Sequence, residues 1–377
     1  MQVAGIVAEY NPFHRGHLYH IRKTREAGAT HIVAVMSGNF VQRGDFALFS
    51  KWSRARAAVE GGVDLVLELP AVYSLACAER FARAAVTLLD RFGVVSTLSF
   101  GSESGELSPL YEILNHLREN SSQIKAGLRR GLSYPQALAG AAGAALTPNN
   151  ILGIEYLRAL EELHSPIRPF TVQRQGAAHD AEELCELPSA KRCRSQILES
   201  GFSTVCPHLP APASLAEDIG AGFAPCTLAQ ADRALLALLR TADFSRVPGI
   251  SEGLEYRFVR ARSSCATTAE LIASVKTKRY SEARIRRIAL CAALGITESL
   301  QRESPPYLRV LALNGRGAEL LRLTPAEVVT KPAALLGSGE CFEAELRACA
   351  LFALSSPTPR PGNLELISSP VFLKTVR

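Results

Sequence analysis

Short apolar runs alternate with helical segments in the first part of this chain, and this alternation constrains the fold more than any other feature. Four runs have the composition of buried strands, at residues 3–8, 31–36, 64–69 and 94–100. Segments of helical composition, each ended by a glycine, lie between them at residues 16–27, 51–60 and 74–92. Strands that alternate with helices of this length form βαβ units, whose strands lie parallel in one sheet. The sequence therefore predicts an α/β fold with a Rossmann-like parallel sheet.

Length and a change of character near residue 205 predict two domains. A chain of 377 residues with 47% hydrophobic content exceeds the size at which one core usually suffices. Residues 150–163 continue the pattern as a helix, with Asn150 available as its N-cap, and residues 167–173 form a strand. The proline-rich segment 207–212 indicates a linker, and helical patterns dominate beyond it. We predict a catalytic domain and a mainly α-helical domain, over residues 1–204 and 205–377.

Composition excludes several classes of protein. No stretch approaches the ~18 apolar residues of a membrane-spanning helix. The chain enters a strand directly, without the basic segment and cleavage site of a signal peptide. Nine cysteines without a C-x-x-C pair argue against a disulfide framework and a structural zinc site. We therefore expect a cytoplasmic protein without membrane contact, and a net charge of +6 permits a polyanionic partner without requiring one.

The segment from Glu9 to His17, EYNPFHRGH, carries the clearest chemical signal. It follows the first apolar run, turns at an Asn-Pro pair and opens the next helix near Gly16. His14 and His17 face the same way at a helix N-terminus, where free N–H groups and the helix dipole favour an anion. Each imidazole can donate a hydrogen bond to a phosphate oxygen. We predict a triphosphate site with these two histidines as catalytic candidates; the alternative is a capped helix with surface imidazoles.

The wider text of the chain resembles a known family. HRGH after NPF resembles the HxGH signature of the nucleotidyltransferase superfamily, which includes class I aminoacyl-tRNA synthetases. The segments MSGNFVQRGDFALFSKWSRARAA, GGVDLVLELP, FGSE and NNILGIEYL follow in that order. Together they resemble the bacterial tRNA(Met) cytidine acetate ligase family over nearly the whole chain. The resemblance implies that ATP activates acetate as acetyl-adenylate, and that the acetyl group passes to the wobble cytidine (position 34) of elongator tRNA(Met), giving N4-acetylcytidine. Mg²⁺ is expected with the ATP.

The resemblance also implies which residues bind ATP. They are Val7, Ala8, Glu9, Tyr10, Asn11, Pro12, Phe13, His14, Arg15, Gly16, His17, Leu18, Tyr19, His20, Gly101, Asn150 and Arg174. Taken singly, four of these have ordinary structural alternatives. The alternatives are packing or solvation for His20, a turn glycine for Gly101, a helix cap alone for Asn150, and a surface charge beside Gly176 for Arg174.

A departure from the superfamily pattern concerns the far end of the triphosphate. The superfamily often carries Ser/Thr-x-Ser/Thr-x-x-Arg at a late helix N-terminus, whereas this chain reads Ser-Ala-Lys-Arg-Cys-Arg at residues 189–194. Lys191 replaces the second hydroxyl and adds a charge, while the first serine and last arginine keep their spacing. We expect phosphate binding by Ser189, Lys191 and Arg194.

Basic clusters suggest an RNA-binding surface, with solvated helix faces as the alternative. In the segment 276–287, Tyr280, Arg284 and Arg287 fall on one helix face, which suits a phosphate backbone with a stacking partner. The tRNA-binding candidates are Arg43, Lys51, Arg257, Arg260, Lys276, Lys278, Arg279, Tyr280, Arg284 and Arg287. Asp64 and Glu68 share a strand face and either orient the histidines or a Mg²⁺ ion, or form internal salt bridges. We predict no metal site made by the protein alone.

Two other functions remain open on sequence grounds. One is a nucleotidylyltransferase that joins AMP to a small phosphorylated metabolite, which would leave the basic second half unexplained. The other is a non-catalytic RNA-binding protein that responds to ATP. Dependence of pyrophosphate release on acetate separates them from the ligase.

Overall fold

The computed structural model describes residues 1–130, 132, 134–142, 146–174, 189–251 and 253–374. Within these ranges the strands are β1 (Val3–Ala8), β2 (His31–Ser37), β3 (Phe40–Val41), β4 (Asp45–Phe46), β5 (Leu65–Leu69), β6 (Thr97–Ser102), β7 (Arg168–Gln173), β8 (Leu308–Asn314), β9 (Val328–Val329) and β10 (Val371–Leu373). The helices of the first part are α1 (Arg15–Glu26), α2 (Lys51–Glu60), α3 (Ala71–Ser74), α4 (Ala78–Arg91), α5 (Ser108–Glu119), α6 (Ser121–Arg129), α7 (Tyr134–Ala142), α8 (Pro148–Glu162) and α9 (Ala190–Ser200). Those that follow are α10 (Ala213–Gly220), α11 (Asp232–Thr241), α12 (Leu254–Ser264), α13 (Thr268–Val275), α14 (Glu282–Leu294), α15 (Glu298–Arg302), α16 (Gly315–Leu323), α17 (Glu340–Ala353) and α18 (Leu364–Ile367).

One mixed sheet organises the molecule, in the strand order β10-β8-β5-β2-β1-β6-β7, with β9 paired to β8. Its pairings are parallel except that between β5 and β8. The central strands β2 and β5 are buried almost throughout. Their sequences are continuously apolar because helices cover both faces of a parallel sheet of this kind. The predicted α/β class with a parallel sheet and a mainly helical remainder is confirmed.

The sheet extends across the predicted boundary at residue 205. Two strands that the sequence analysis did not predict complete this side of the sheet: β8 pairs with β5, and β10 pairs with β8 at the edge. The proline-rich segment 207–212 is packed rather than loose, since Leu209 and Ala211 are buried and the Ser214 hydroxyl donates to the Ser53 carbonyl at 2.9 Å. The division of the chain at residue 205 stays a prediction.

Two boundaries of the first part differ from expectation. The helix expected over 74–92 is α4, which begins only at Ala78, because the preceding short helix α3 ends at Ser74, whose hydroxyl donates back to the carbonyl of Leu69 at 2.9 Å. The fourth strand begins three residues later than predicted: Gly93, with a positive φ of 76°, follows the end of α4, and residues 94–96 have no regular structure before β6 starts at Thr97. Among the described residues, no helix is long and apolar enough to cross a membrane.

A buried cluster of charges joins the two parts of the chain. The Lys51 ammonium lies 2.5 Å from Glu68, 2.9 Å from Glu345 and 2.6 Å from Glu365. The Arg309 guanidinium pairs with Glu68 at 2.9 Å and also with Glu365. The three carboxylates are near enough to hold a metal ion, but each of them already pairs with at least one of these two cations. The prediction that Lys51 contacts RNA is therefore wrong, since its side chain is fully buried.

The other carboxylate of the β5 face is also structural. Asp64 accepts from the Ile32 amide at 2.8 Å and pairs with Arg25 at 2.5 Å. Although burial acts to raise the pKa of Glu68, Lys51 and Arg309 lower it to about 2, so this carboxylate stays ionised. Of the two roles considered for Asp64 and Glu68, the salt-bridge role is the one observed.

Replacing Lys51 with methionine tests the charge cluster. Lys51→Met leaves buried carboxylates short of a cation, and loss of one partner of a buried ion pair costs about 3–5 kcal/mol. We expect a large fall in the urea midpoint of unfolding. Lys331→Met, at an exposed lysine, is the control and should change stability by less than about 0.5 kcal/mol. Equal midpoints for the two variants would contradict the assignment.

Candidate functional site

A cavity of about 340 Å³ opens where the parallel strands β1, β6 and β7 end. Ligands bind at this edge in open α/β sheets, because helix N-termini and loops converge there. The predicted residues that line the cavity are Val7, Ala8, Glu9, Tyr10, Asn11, His14, Gly16, His17, Tyr19, His20, Gly101, Arg174, Ser189, Lys191 and Arg194. The structure thus brings the HxGH segment, the β6 glycine, the β7 arginine and the start of α9 to one place.

Five other predicted residues do not belong to this lining: Pro12, Phe13, Arg15, Leu18 and Asn150. Phe13 lies behind it, fully buried, with its ring 5.1 Å from that of Tyr10. The ring also faces Gly61, where an added Cβ would lie 2.3 Å from the Phe13 ring. The glycine that ends α2 is therefore needed for Phe13 to support the HxGH segment from below.

The two histidines both cap α1 and line the cavity. The Nδ1 atom of His14 accepts from the Gly16 amide at 3.0 Å, and Nδ1 of His17 accepts from the His14 amide at 3.2 Å. Their rings stack with centroids 3.7 Å apart. Because each Nδ1 is an acceptor, the proton of each neutral ring lies on Nε2. The two interpretations of the motif are compatible, since capping fixes the tautomer that offers an Nε2–H donor.

The histidine rings are neutral at pH 7. Burial, with the charges of Arg174 and Arg194, lowers the pKa of His14 to about 3. Burial, His14, His20 and Arg174 lower the pKa of His17 well below its usual value. Burial and Arg174 lower the pKa of His20 to about 4. The fixed positive charge of the cavity is therefore carried by arginine and lysine, and the histidines contribute hydrogen-bond donors.

His20 has a partner within the fold. Its Nε2 atom lies 2.9 Å from the Ser99 hydroxyl, which is itself 2.7 Å from the Thr24 hydroxyl. This contact favours the packing role weighed for His20, although the ring also lines the cavity.

The residues from β6 to α8 hold one side of the cavity. Gly101 lies on β6, and a Cβ there would approach the Arg174 side chain at 3.2 Å. Thr147, not Asn150, caps α8, because its hydroxyl accepts from the Asn150 amide at 3.2 Å; the predicted N-cap is therefore wrong. Asn150 instead accepts from the Glu103 amide at 3.3 Å, and Asn149 lines the cavity. Gly176, which completes the predicted Arg-x-Gly pattern, lies outside the described residues.

The altered phosphate motif lies at the N-terminus of α9, on the opposite side. Ser189 caps this helix by accepting from the Arg192 amide at 3.2 Å, which leaves its hydroxyl hydrogen free to donate. Lys191 and Arg194 line the cavity, and Arg194 donates to the Asn11 carbonyl at 2.8 Å. A capped helix start with two cations is suited to the end of a triphosphate.

Arg54, which lies in the basic stretch after the second strand, holds the ends of β1 and β2, and of the residues it binds Glu9 lines the cavity. It is fully buried on α2, and its guanidinium donates to the carbonyls of Glu9, Ser37 and Gly38 and, at 3.0 Å through Nε, to that of Phe49. These carbonyls end β1 and β2 or precede α2. Although burial lowers the pKa of Arg54 to about 10, the group stays charged at neutral pH. Arginine, with five donors in a planar fork, is the side chain that can satisfy so many carbonyls.

The predicted RNA-binding residues differ in exposure, and exposed ones can also have partners within the fold, as Arg257 does in donating to the Ser274 carbonyl at 3.0 Å. Tyr280 is only 8% exposed, and Arg284 lies 4.8 Å over its ring, so it does not offer a face for a base to stack on. Arg287 donates to the Gln42 carbonyl at 3.0 Å. The exposed candidates are Arg257, Arg260, Lys276 and Lys278. Tyr256, 74% exposed one turn before Arg260 on α12, is an aromatic that sequence analysis missed.

Comparison with known proteins agrees with this geometry. The HIGH Nucleotidyl Transferase family model matches residues 1–363. A tRNA(Met) cytidine acetate ligase of Thermoanaerobacter sp. (strain X514) is 36% identical, covering 97% of this chain and 98% of the relative. One of Syntrophomonas wolfei is 39% identical, covering 85% and 84%. A crystal structure of Thermotoga maritima TmcAL bound with alpha-thio ATP matches with a TM-score of 0.90 at 30% identity over all of both chains.

The chain belongs to the tRNA(Met) cytidine acetate ligase family. The match extends from the HxGH segment through the helical remainder, so it covers the cavity and the exposed basic residues alike. The family predicted from the sequence motifs is confirmed.

The protonation state of the histidines in the free protein is directly testable. We expect ring ¹⁵N shifts at pH 7 to show a protonated Nε2 and an unprotonated Nδ1 for His14 and His17. Because the pKa values of His14 and His20 are about 3 and about 4, neither ring should titrate between pH 8 and pH 5.5. The urea-unfolded chain is the control, in which histidines titrate near ~6.5. Midpoints near that value in the folded protein would refute the assignment.

Arg54→Lys tests the clamp on the strand ends. Lysine keeps the charge but has three donors on one nitrogen, so several carbonyls lose their partner. We expect the KM for ATP to rise about tenfold or more, because a small displacement of a binding site is costly. Arg56→Lys, two residues on at the helix surface, is the matched control, since its ion pairs with Glu60 and Glu217 are exposed and contribute little. An unchanged KM for ATP would show that Arg54 does not position the site.

Proposed function

We propose that this protein is a tRNA(Met) cytidine acetate ligase that uses ATP, acetate and elongator tRNA(Met). The observation that carries the proposal is the convergence of the HxGH histidines, the β7 arginine and the α9 cations on one cavity, in a chain of this family. The residues that line this cavity would bind the ATP. A protein that acts on tRNA works where tRNA is found, in the cytoplasm.

The first step is activation of acetate. A carboxylate oxygen of acetate attacks the α-phosphorus of ATP, the bond to the bridging oxygen breaks, and pyrophosphate leaves with acetyl-adenylate as the product. His14 and His17 donate through Nε2–H to the phosphate oxygens where charge accumulates. Lys191 and Arg194 hold the departing pyrophosphate at the start of α9. The protein's contribution is positioning and charge stabilisation rather than covalent catalysis.

The second step is transfer to RNA. The N4 amine of the target cytidine attacks the acetyl carbonyl, the bond from that carbon to the adenylate oxygen breaks, and AMP leaves as the amine loses a proton. Activation is needed because acetate itself has only oxide or hydroxide to expel, whereas the adenylate is a far better leaving group.

Mg²⁺ would enter with ATP, bound to its phosphates. Among the described lining residues Glu9 is the one carboxylate, and its Oε1 accepts from the Gln42 amide at 2.9 Å. A lining with one carboxylate among several cations does not form a protein metal centre, but it fits an ion held mainly by phosphate oxygens. Glu9 is the residue that would hold the ion, which would neutralise charge on the leaving pyrophosphate.

The RNA would lie along the exposed basic residues of α12 and of the segment before α14. Arg257, Arg260, Lys276 and Lys278 are exposed there, beside the exposed ring of Tyr256. Cations with an adjacent aromatic suit a phosphate backbone and an unstacked base.

Labelled acetate tests the function. We expect the protein to exchange pyrophosphate with ATP only when acetate is present, and to transfer label to tRNA(Met) as N4-acetylcytidine identified by mass spectrometry. Pyrophosphate exchange that ignores acetate but requires a phosphorylated metabolite would sink the ligase proposal. A tRNA(Met) whose wobble base is uridine is the control and should remain unlabelled.

His17→Ala tests the role of the HxGH donors. Loss of one preorganised donor to developing charge lowers kcat by about 10²–10³-fold. We expect that loss in acetate-dependent pyrophosphate exchange. His116→Ala, at an exposed histidine on α5, is the control and should keep the rate. Full activity of His17→Ala would show that the imidazole plays no part in activation.

A further inference from the structure

A second cavity, of about 730 Å³, lies directly beside the ATP cavity. The two have part of their lining in common: Glu9, Asn11, Arg43, Lys191 and Arg194. Glu9 and Asn11 follow β1, Arg43 lies in the turn between β3 and β4, and Lys191 and Arg194 are the α9 cations to which the proposed function assigns the pyrophosphate. A group held in the second cavity therefore lies across a shared wall from the phosphates of a nucleotide in the first.

Apolar side chains share the lining of the second cavity with charged ones. They come from the β3–β4 hairpin, α9 and α13, and include Phe46, Leu198 and Ile272. The Leu198 side chain is 53% exposed, and Ala269 and Ala273 are exposed one turn apart on α13. Exposed apolar surface gathered in a concave site of this size is typical of the part of a binding site that contacts a ligand's flat or apolar faces.

The charged side chains that line this cavity form ion pairs with one another. Arg286 lies 3.0 Å from Asp45 and 2.6 Å from Glu282, and Lys276 lies 3.1 Å from Glu282. Over the whole described lining, five cations face three carboxylates. Such a lining offers donors and acceptors for the edge of a base and an excess of positive charge for a phosphate.

The hairpin that forms one wall is fixed against α14. Gly44 at its tip has φ of +73°, and a Cβ there would lie 2.6 Å from the amide nitrogen of Arg287. Arg287 in turn donates to the Gln42 carbonyl at 3.0 Å. The β3–β4 hairpin, which forms the cavity wall between the basic segment and the ATP site, is therefore held in place by its contacts with α14.

We propose that the second cavity receives the acceptor nucleoside, a cytidine turned out of its RNA, and presents its N4 amine to the acetyl-adenylate across the shared wall. This rests on the proposed function. Enzymes that modify a base must take it out of the stack and enclose it, and unpaired loop bases are the least costly to extrude. Acetate needs only a fraction of this volume. Lys276 and Arg286, from the basic segment predicted to bind RNA, line the same cavity.

Filling the cavity separates its role from that of the ATP site. Ala273→Trp introduces a large ring at an exposed helix position that does not line the ATP cavity. We expect acetate-dependent pyrophosphate exchange to stay within about twofold, while kcat/KM for acetylation of tRNA(Met) falls about tenfold or more, a loss of about 1.4 kcal/mol in transition-state binding. Ala237→Trp, at an exposed alanine on α11 outside the linings of both cavities, should keep both activities.

A second variant tests the same cavity in case Ala273→Trp does not fold. Leu198→Glu adds a negative charge at a half-exposed position in the cavity and should give the same pattern, with the thermal midpoint of unfolding unchanged. Wild-type acetylation by both variants would overturn the proposal. A parallel loss of exchange and acetylation would also overturn it, because the cavity would then serve pyrophosphate release. If the unaltered protein shows neither activity, the proposed function fails, and the cavity's assignment fails with it.

Discussion

The first turn of α2 places two cations, Lys51 and Arg54, in the interior, and both the closure of the fold and the shape of the site depend on them. Lys51 binds carboxylates from β5, α17 and α18, and so ties the first strands to helices near the end of the chain. Arg54 donates to the carbonyls that end β1 and β2. Each acceptor left unpaired in a dry interior costs about 1–3 kcal/mol, so neither cation is replaceable by an apolar residue without rearrangement.

The cavity separates two electrostatic tasks between different residue types. Arginine and lysine supply permanent charge, whereas burial, together with the charge of Arg174, lowers the pKa values of His14 and His17 and keeps these histidines neutral. A neutral imidazole held as the Nε2–H tautomer donates a hydrogen bond without adding to the repulsion among the positive charges of the site. The donors are preorganised by backbone contacts at both Nδ1 atoms, so little reorganisation is needed when charge develops on a bound phosphate.

Local patterns allowed the α/β class, the helix at 51–60 and the HxGH site to be predicted from sequence, because periodicity and helix caps depend on near neighbours. Long-range partners were not predictable in this way. Nothing in the sequence near Lys51 distinguishes it from a surface lysine, because only the fold brings Glu345 and Glu365 to it. Thr147 is the N-cap of α8 in place of the predicted Asn150, because the choice among neighbouring polar residues depends on where the chain enters the helix. Strand β8 was missed because its pairing with β5 joins distant parts of the sequence.

The position of β8 within the sheet affects how acetate activation and acetyl transfer are aligned. Arg309 on β8 belongs to the ion cluster of Lys51, which begins the same helix that carries Arg54. The helical remainder, with its basic residues, is therefore joined through buried charges to the helix that holds the end of β1, where Glu9 lines the cavity. Transfer of an acetyl group requires the acceptor within about 3–3.5 Å of the activated carbon, and errors of 1 Å cost about 10²-fold in rate. A flexible tether between an ATP domain and an RNA domain would not hold that distance. A shared sheet and a shared ion cluster are structures that can hold it.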